Sequence, residues 1–451
     1  MDWVGKSGSP SAPHAEAGAR ASARREKIAS QMAQDAAGEI ARLRARADFV
    51  EQYSYFLDLL ADRPDKRLAA IGKPVAAFLC QVAPLELIEA HGLHPFRLMG
   101  GHQAAERLSS PSLPAVMCPM LRSLLGSMMS LDQGPELAGL IMPTMCDWTV
   151  KFGSLSELCG LKLPAKLHLM DPPRVKNSPQ TSDRWLKETW RLNDFLTAIS
   201  GRKIGPKELS KAIRVYRQAF MALSDLIDLK RQSKLPQIWF TVITAAFYLD
   251  QVQNWTQAAR AVWLAVGDQA LVGPGSVQTD FKNASAAGVN LGPPDLSGRR
   301  NQAKKVFLAG SPIFFPNFKT LLLVEQAGLE TVIDDFCSSE RLLPGPVAVS
   351  DESFYGLMTA LSQRYQLGCL CPTFADHYQV VNNITNLFDH PLFQGVIFHV
   401  LKGCHLFDLK SLAVEPNVKG LGIKFLRLET DYSREDRDTL LTRLEAFAGT
   451  L

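Results

Sequence analysis

The stretch KKVFLAGSPIFFPNFKTLLLVEQAGLETVIDDFC, residues 304–337, decides the fold class. KKVFLAG (304–310) is a short apolar run closed by glycine, the pattern of a buried strand. FPNFKTLLLVEQAG (315–328) carries apolar residues at helical spacing and stops at Gly328, a residue suited to ending a helix. LETVIDD (329–335) is a second apolar run, and Cys337 lies just past it. Strand, helix, strand within so few residues is the unit of a parallel sheet.

The same texture continues on both sides. GVIFHVL (395–401) and IKFLRLE (423–429) read as strands and REDRDTLLTRLEAFAG (434–449) as a closing helix. Upstream, PVAAFL (74–79), LPAVM (113–117) and LAGLIMP (137–143) read as strands, each followed at once by a turn residue and an amphipathic segment. Residues 180–265 carry no strand signal, and GRKIGPKELSKAIRVYRQAFMALSDLI (201–227) has helical spacing with Pro206 near a helix start. The expected organisation is a disordered start over 1–20 and a helical extension, together 1–65, then an N-terminal α/β domain over 66–175. A helical region over 176–271, a Gly/Pro/Ser-rich linker over 272–302 and a C-terminal α/β domain over 303–451 complete it.

Composition excludes several classes. The 451 residues are 46% hydrophobic, enough for a large core, but the longest uncharged apolar run, IWFTVITAAFYL (238–249), is too short to span a bilayer. The N-terminus lacks the order of a secretory signal, so the expected location is the cytoplasm. A net charge of +4 from 49 basic and 45 acidic residues gives no footprint of a nucleic-acid binder, and the early arginines read as a solvated helix face.

Eight cysteines in a reducing compartment are candidates for packing, metal ligation or catalysis rather than disulfides. Five of them, Cys80, Cys118, Cys146, Cys337 and Cys404, fall where an expected strand ends and a new element begins. In an open parallel sheet those positions share the carboxyl edge, where such folds bind ligands. Cys159 shows no such placement, and Cys369 and Cys371 stand one residue apart in QLGCLCPTF (366–374). No C-x-x-C pair marks a zinc site, and thiolates brought from separate strand ends suit an iron-sulfur cluster. Helix starts after Cys118, Cys146 and Cys404 are expected to lower those thiol pKa values.

Other residues near these thiols carry two readings each. Glu86 is a candidate acid/base or orienting group, or a first-turn acid that suits the helix dipole. His405 is a candidate proton shuttle or a structural histidine, and Arg122 an anion partner or a surface arginine. Glu429 and Asp431, at the end of an expected strand, are candidates to support the site. No nucleotide-binding or serine-hydrolase motif occurs.

Eight segments in order resemble the 2-hydroxyacyl-CoA dehydratase and benzoyl-CoA reductase family. They are CQVAPLELIEAHGLHPFRL (80–98), VMCPMLRSLLG (116–126), LIMPTMCDWTVKF (140–152), GSPIFFPN (310–317), EQAGLETVIDDFCSSERL (325–342), GCLCPT (368–373), LKGCHLFDLKSL (401–412) and LRLETDYSREDRDTLLTRLEAF (426–447). The resemblance implies two Rossmann-like (flavodoxin-like) domains clamping an iron-sulfur centre at their interface. It further implies a 4Fe-4S cluster, an ATP-dependent activator or reductase with its own 4Fe-4S cluster, and an acyl-CoA substrate reduced to a ketyl radical. A homodimer, or a heterodimer with a sister subunit, is implied as well. In its cysteines the chain is similar to the double-cubane cluster branch, which implies a ligand set of Cys80, Cys118, Cys146, Cys337, Cys404 and one of Cys369 and Cys371, with Cys371 favoured. The alternative is a non-catalytic subunit that relays electrons or scaffolds a partner.

Overall fold

A computed structural model describes residues 12–62, 64–130, 137–161, 166–176, 178–267, 303–375 and 392–451. The expected linker at 272–302 lies outside them, as do residues 1–11. The expected disorder does not extend over 12–20, which belong to the helix Ala12–Arg44.

The first sheet is built from β1 (Val75–Phe78), β2 (His94–Arg97), β3 (Leu137–Pro143) and β4 (Leu167–Met170), in the order β2-β1-β3-β4. The second is built from β5 (Lys304–Gly310), β6 (Leu329–Asp334), β7 (Gly395–Leu401) and β8 (Lys424–Thr430), in the order β6-β5-β7-β8. Every pairing is parallel, and the two orders are the same one used twice. The fold is therefore α/β with two doubly wound sheets. Inner strands β1 and β7 are buried at every residue, which is why VAAF and GVIFHVL are continuous apolar runs rather than alternating ones.

In each sheet the strand order reverses beside the first strand, so β1 and β3, or β5 and β7, diverge in their connections and leave a crevice at their carboxyl ends. One expected strand is absent: LPAVM is a turn, closed by the Met117 amide donating to the Pro114 carbonyl, because Pro114 supplies no ladder donor. Cys118 therefore sits at the start of the helix Pro119–Ser130 rather than at a strand end. Two short strands, β2 and β4, were not expected; HPFR and LHLM are only four residues each.

Between the sheets run the helices Pro179–Ser200, Pro206–Arg231, Gln237–Ala245 and Val252–Gly267, with no strand among them, as expected. Ser178 caps the first by accepting from the Thr181 amide at 3.2 Å, and Pro179 and Pro206 occupy first-turn positions where a missing N–H costs nothing. IWFTVITA is buried on all sides inside Gln237–Ala245. Among the described residues, no helix is long and apolar enough to cross a membrane.

A buried charged cluster fastens this helical layer to the second sheet. Lys230 Nζ lies 2.7 Å from Asp334 and 2.5 Å from Glu340, and donates to Gln237 Oε1 at 2.6 Å. Asp334 ends β6, and its other oxygen accepts from the Phe336 and Glu340 amides, which fixes the loop that carries Cys337.

His399, buried in β7, shares a hydrogen bond at 2.9 Å between Nδ1 and the Ser311 carbonyl. Burial, aided by the Lys319 charge, holds its pKa down to about 4 against an ordinary 6.5. Between those values the unfolded chain binds a proton that the folded chain refuses, so stability falls as pH drops through this window, by roughly 3 kcal/mol. Urea unfolding of the wild type and His399→Gln at about pH 7 and about pH 4 tests this; the variant is expected to lose less stability on acidification, and equal losses would contradict it.

Candidate functional site

The carboxyl edges of the two sheets face each other. Gln81, just after β1, donates to the carbonyls of Cys337, at 2.5 Å, and of Arg341. Arg97, the last residue of β2, donates to the Cys337 carbonyl at 2.7 Å and to Cys337 Sγ at 3.1 Å. Thr373 Oγ1 donates to the Met145 carbonyl at 2.5 Å, and Tyr432 donates to the Gly100 carbonyl at 2.6 Å. At Gly403 the backbone is left-handed, with φ 74, and an added Cβ would run into the Val116 carbonyl, so only glycine lets the two loops meet.

These contacts sort seven thiols, all free, into two groups. The first contains Cys80 after β1, Cys337 after β6, and Cys369 and Cys371 after the helix Phe354–Gly368. Burial pushes the Cys80 thiol up to about 12, with Cys369 and Cys337 adding to the rise. Burial likewise drives Cys371 well above its ordinary value, with Cys80, Cys369 and Cys337 contributing. The second group contains Cys118, Cys146 after β3 and Cys404 after β7. Burial raises Cys118, and the neighbouring Cys404 and Cys146 raise it further. Each group draws thiols from both sheets. Cys159, at the end of the helix Phe152–Leu158, packs in the apolar cluster that also holds Cys118, and burial raises its pKa.

Amides point at several of these sulfurs. Cys80 receives the Val82 N–H, Cys118 that of Leu121, Cys371 that of Thr373 and Cys404 that of Phe407. The expected lowering by helix starts is present at Cys118 and Cys404 but loses to burial, and both thiols end above their ordinary value. Desolvation of a thiolate costs more than one amide and a helix end return.

Three cations adjoin the first group. Arg97 is 3% exposed and stays ionised against the cost of burial, with Cys337, Tyr248 and Cys80 as the neighbours that raise it. Arg341 faces Asp335, Cys337, Cys369 and Cys371, and the buried Lys176 donates to the Cys369 carbonyl and sits 4.4 Å from the Phe374 ring. The second group has Arg122, which is paired with Glu106 at 2.5 Å, and receives the Ser311 hydroxyl at Cys404.

The donor set suits an iron-sulfur cluster. It consists of thiols without histidine or carboxylate, with N–H groups on the sulfurs and cations beside them. Among the described residues no three His, Cys, Asp or Glu side chains converge on a single metal ion. A lone zinc, with Zn–S of about 2.3 Å, would draw its thiolates within about 4 Å of one another; a cluster carrying its own sulfide takes them wider apart.

The remaining candidates lie off the thiols. Glu86 is 1% exposed, with one oxygen accepting from Arg364 Nη1 at 2.9 Å and the other from the Tyr365 hydroxyl at 2.8 Å. Tyr365 in turn accepts the Leu85 amide at 2.9 Å, so this trio bolts the helix Leu85–Ala90 to the helix Phe354–Gly368. His405 opens the helix His405–Gly420 and is exposed. Asp431 pairs with Lys402 at 2.7 Å, and Glu429 with Arg427 at 3.0 Å. The sequence reading does not include Arg97, Lys176 and Arg341; a charged residue closing a short apolar stretch, as in HPFR, is a signal for Arg97 alone.

The family described as 2-hydroxyglutaryl-CoA dehydratase, D-component, matches residues 80–451. The chain is 22% identical over 395 residues to a putative dehydratase subunit, YjiM, of Escherichia coli, covering 84% of this chain and 92% of that protein. It is 23% identical to a benzoyl-CoA reductase subunit from Thauera aromatica, over 67% of this chain and 72% of that one. To the (R)-phenyllactyl-CoA dehydratase beta subunit of Clostridium sporogenes it is 21% identical, over 86% and 94%.

Removing the carboxylate of Glu86 strands a buried guanidinium. Glu86→Ala is expected to cost about 3–5 kcal/mol in chemical denaturation. A variant of unchanged stability would contradict the structural part assigned to this residue.

Proposed function

Because the chain belongs to the 2-hydroxyglutaryl-CoA dehydratase D-component family, we propose that it is the iron-sulfur component of a 2-hydroxyacyl-CoA dehydratase or benzoyl-CoA reductase-like system. Cys80, Cys337 and Cys371, with Cys369 beside them, hold one 4Fe-4S cluster, and Cys118, Cys146 and Cys404 hold a second, as a double cubane. The observation that carries the reading is the sorting of seven free thiols into two groups, each fed from both sheets.

When bound, such clusters supply one-electron chemistry at low potential. The chain's own residues bind and shield. Amides of Val82, Leu121, Thr373 and Phe407 donate to the sulfurs, and Arg97 donates to Cys337 Sγ, so negative charge is met by protein donors. Glu86 acts as a positioning residue, holding the two ligand-bearing halves at fixed separation through Arg364 and Tyr365. His405 lies exposed at the rim beside Cys404, in the place of a proton shuttle.

The partners follow from the same reading: a separate ATP-hydrolysing reductase with its own 4Fe-4S cluster delivers electrons, an acyl-CoA thioester is the substrate class, and a second subunit, identical or a sister, completes the assembly. Segments 66–175 and 303–451 serve as the two clamping domains, with 176–271 as the helical region between them.

Anaerobic reconstitution of the whole chain, followed by iron and sulfide analysis, is expected to give about eight irons per chain. Cys337→Ser and Cys404→Ser are each expected to remove about four irons, and Cys159→Ser none. About four irons in the wild type would overturn the double cubane and leave a single cluster, and fewer than about two would overturn the cluster reading itself.

A further inference from the structure

The two thiol groups are chemically alike but electrostatically unequal. Arg97 donates to the Leu79 carbonyl, the Cys337 carbonyl and Cys337 Sγ, and its guanidinium lies 5.3 Å from the Phe314 ring. Among the described residues no carboxylate pairs with it, and the one side-chain acceptor among its three hydrogen bonds is the Cys337 sulfur. Lys176, on the Cys369 carbonyl and the Phe374 face, and Arg341, shared between Asp335 at 2.8 Å and three of the thiols, add to the same side.

The second group is balanced differently. Its nearby cation, Arg122, is paired with Glu106 at 2.5 Å, and Asp408, which acts on Cys404, is paired with Arg427 at 2.5 Å, so the charges around this group are balanced. Cys118 and Cys369 are buried and the other five thiols partly so, and charges beside them act with reduced screening. Adding an electron adds negative charge, so a buried cation favours the reduced form, and a balanced or acidic surround does not.

We propose that Arg97 makes the first thiol group the more readily reduced of two cluster positions, so that the two halves of the site have different potentials. This rests on the two-cluster reading above. One electron, given up by the low-potential donor that this reading already names, then resides at the first group; the donor is oxidised, the first position is reduced, and no bond or proton moves. Arg97 acts through the sulfurs and is a positioning residue rather than a catalytic one.

The test is a redox titration of the anaerobically reconstituted full-length protein, followed by electron paramagnetic resonance. The wild type is expected to show two midpoint potentials. Arg97→Gln is expected to lower the more positive one and leave the other in place, while Arg97→Lys, which keeps the charge, restores much of the wild-type value. If Arg97→Gln fails to load iron, Lys176→Gln takes its place, with the same direction expected. With iron content intact, two unshifted potentials, or a shift confined to the more negative one, would overturn the proposal and leave the cluster reading standing. A wild type holding a single cluster, or none, would overturn the two-cluster reading and this proposal with it.

Discussion

The Cys337 carbonyl is the point at which the two halves of the protein are joined around the thiols. It accepts from Gln81 and Arg97, both on the first sheet's carboxyl edge, while the loop that presents it is fixed from behind by Asp334 and Lys230. Both thiol groups depend on this junction. Cys80, Cys118 and Cys146 belong to the first half and Cys337, Cys369, Cys371 and Cys404 to the second, so separating the edges would leave neither group whole.

Much of that junction is made of buried charge rather than apolar surface. Burying an ion pair returns little net stability, since desolvation offsets the attraction, but breaking one leaves an uncompensated charge and costs several kcal/mol. Glu86 with Arg364, and Lys230 with Asp334 and Glu340, therefore act as registers: they penalise every arrangement of the halves but one. Arg97 differs in pairing with sulfur and carbonyl oxygen, which ties the register to the thiols themselves.

The fold was legible where strands are long and buried. KKVFLAG, LAGLIMP and GVIFHVL match β5, β3 and β7 residue for residue, because an inner strand of a parallel sheet is apolar on both faces. LPAVM misled for the same reason in reverse, since an apolar run says nothing of the turn that Pro114 permits, and β2 and β4 were too short to carry a period. At the site, strand-end placement found Cys80, Cys146, Cys337 and Cys404 without any knowledge of their neighbours. Their division into two groups was not legible, because it is set by contacts across more than 200 positions of chain, such as Gln81 with Cys337. Helix starts do act on Cys118 and Cys404, but burial, which no sequence pattern measures, outweighs them.

The account stands or falls on whether two metal positions exist and which thiols surround each. Diffraction at the iron absorption edge, from crystals of the full chain grown without oxygen, measures this directly. Two adjoining densities of about four irons each are predicted, one among Cys80, Cys337 and Cys371 and one among Cys118, Cys146 and Cys404. Density for about four irons only, or iron placed away from both groups, would contradict the account.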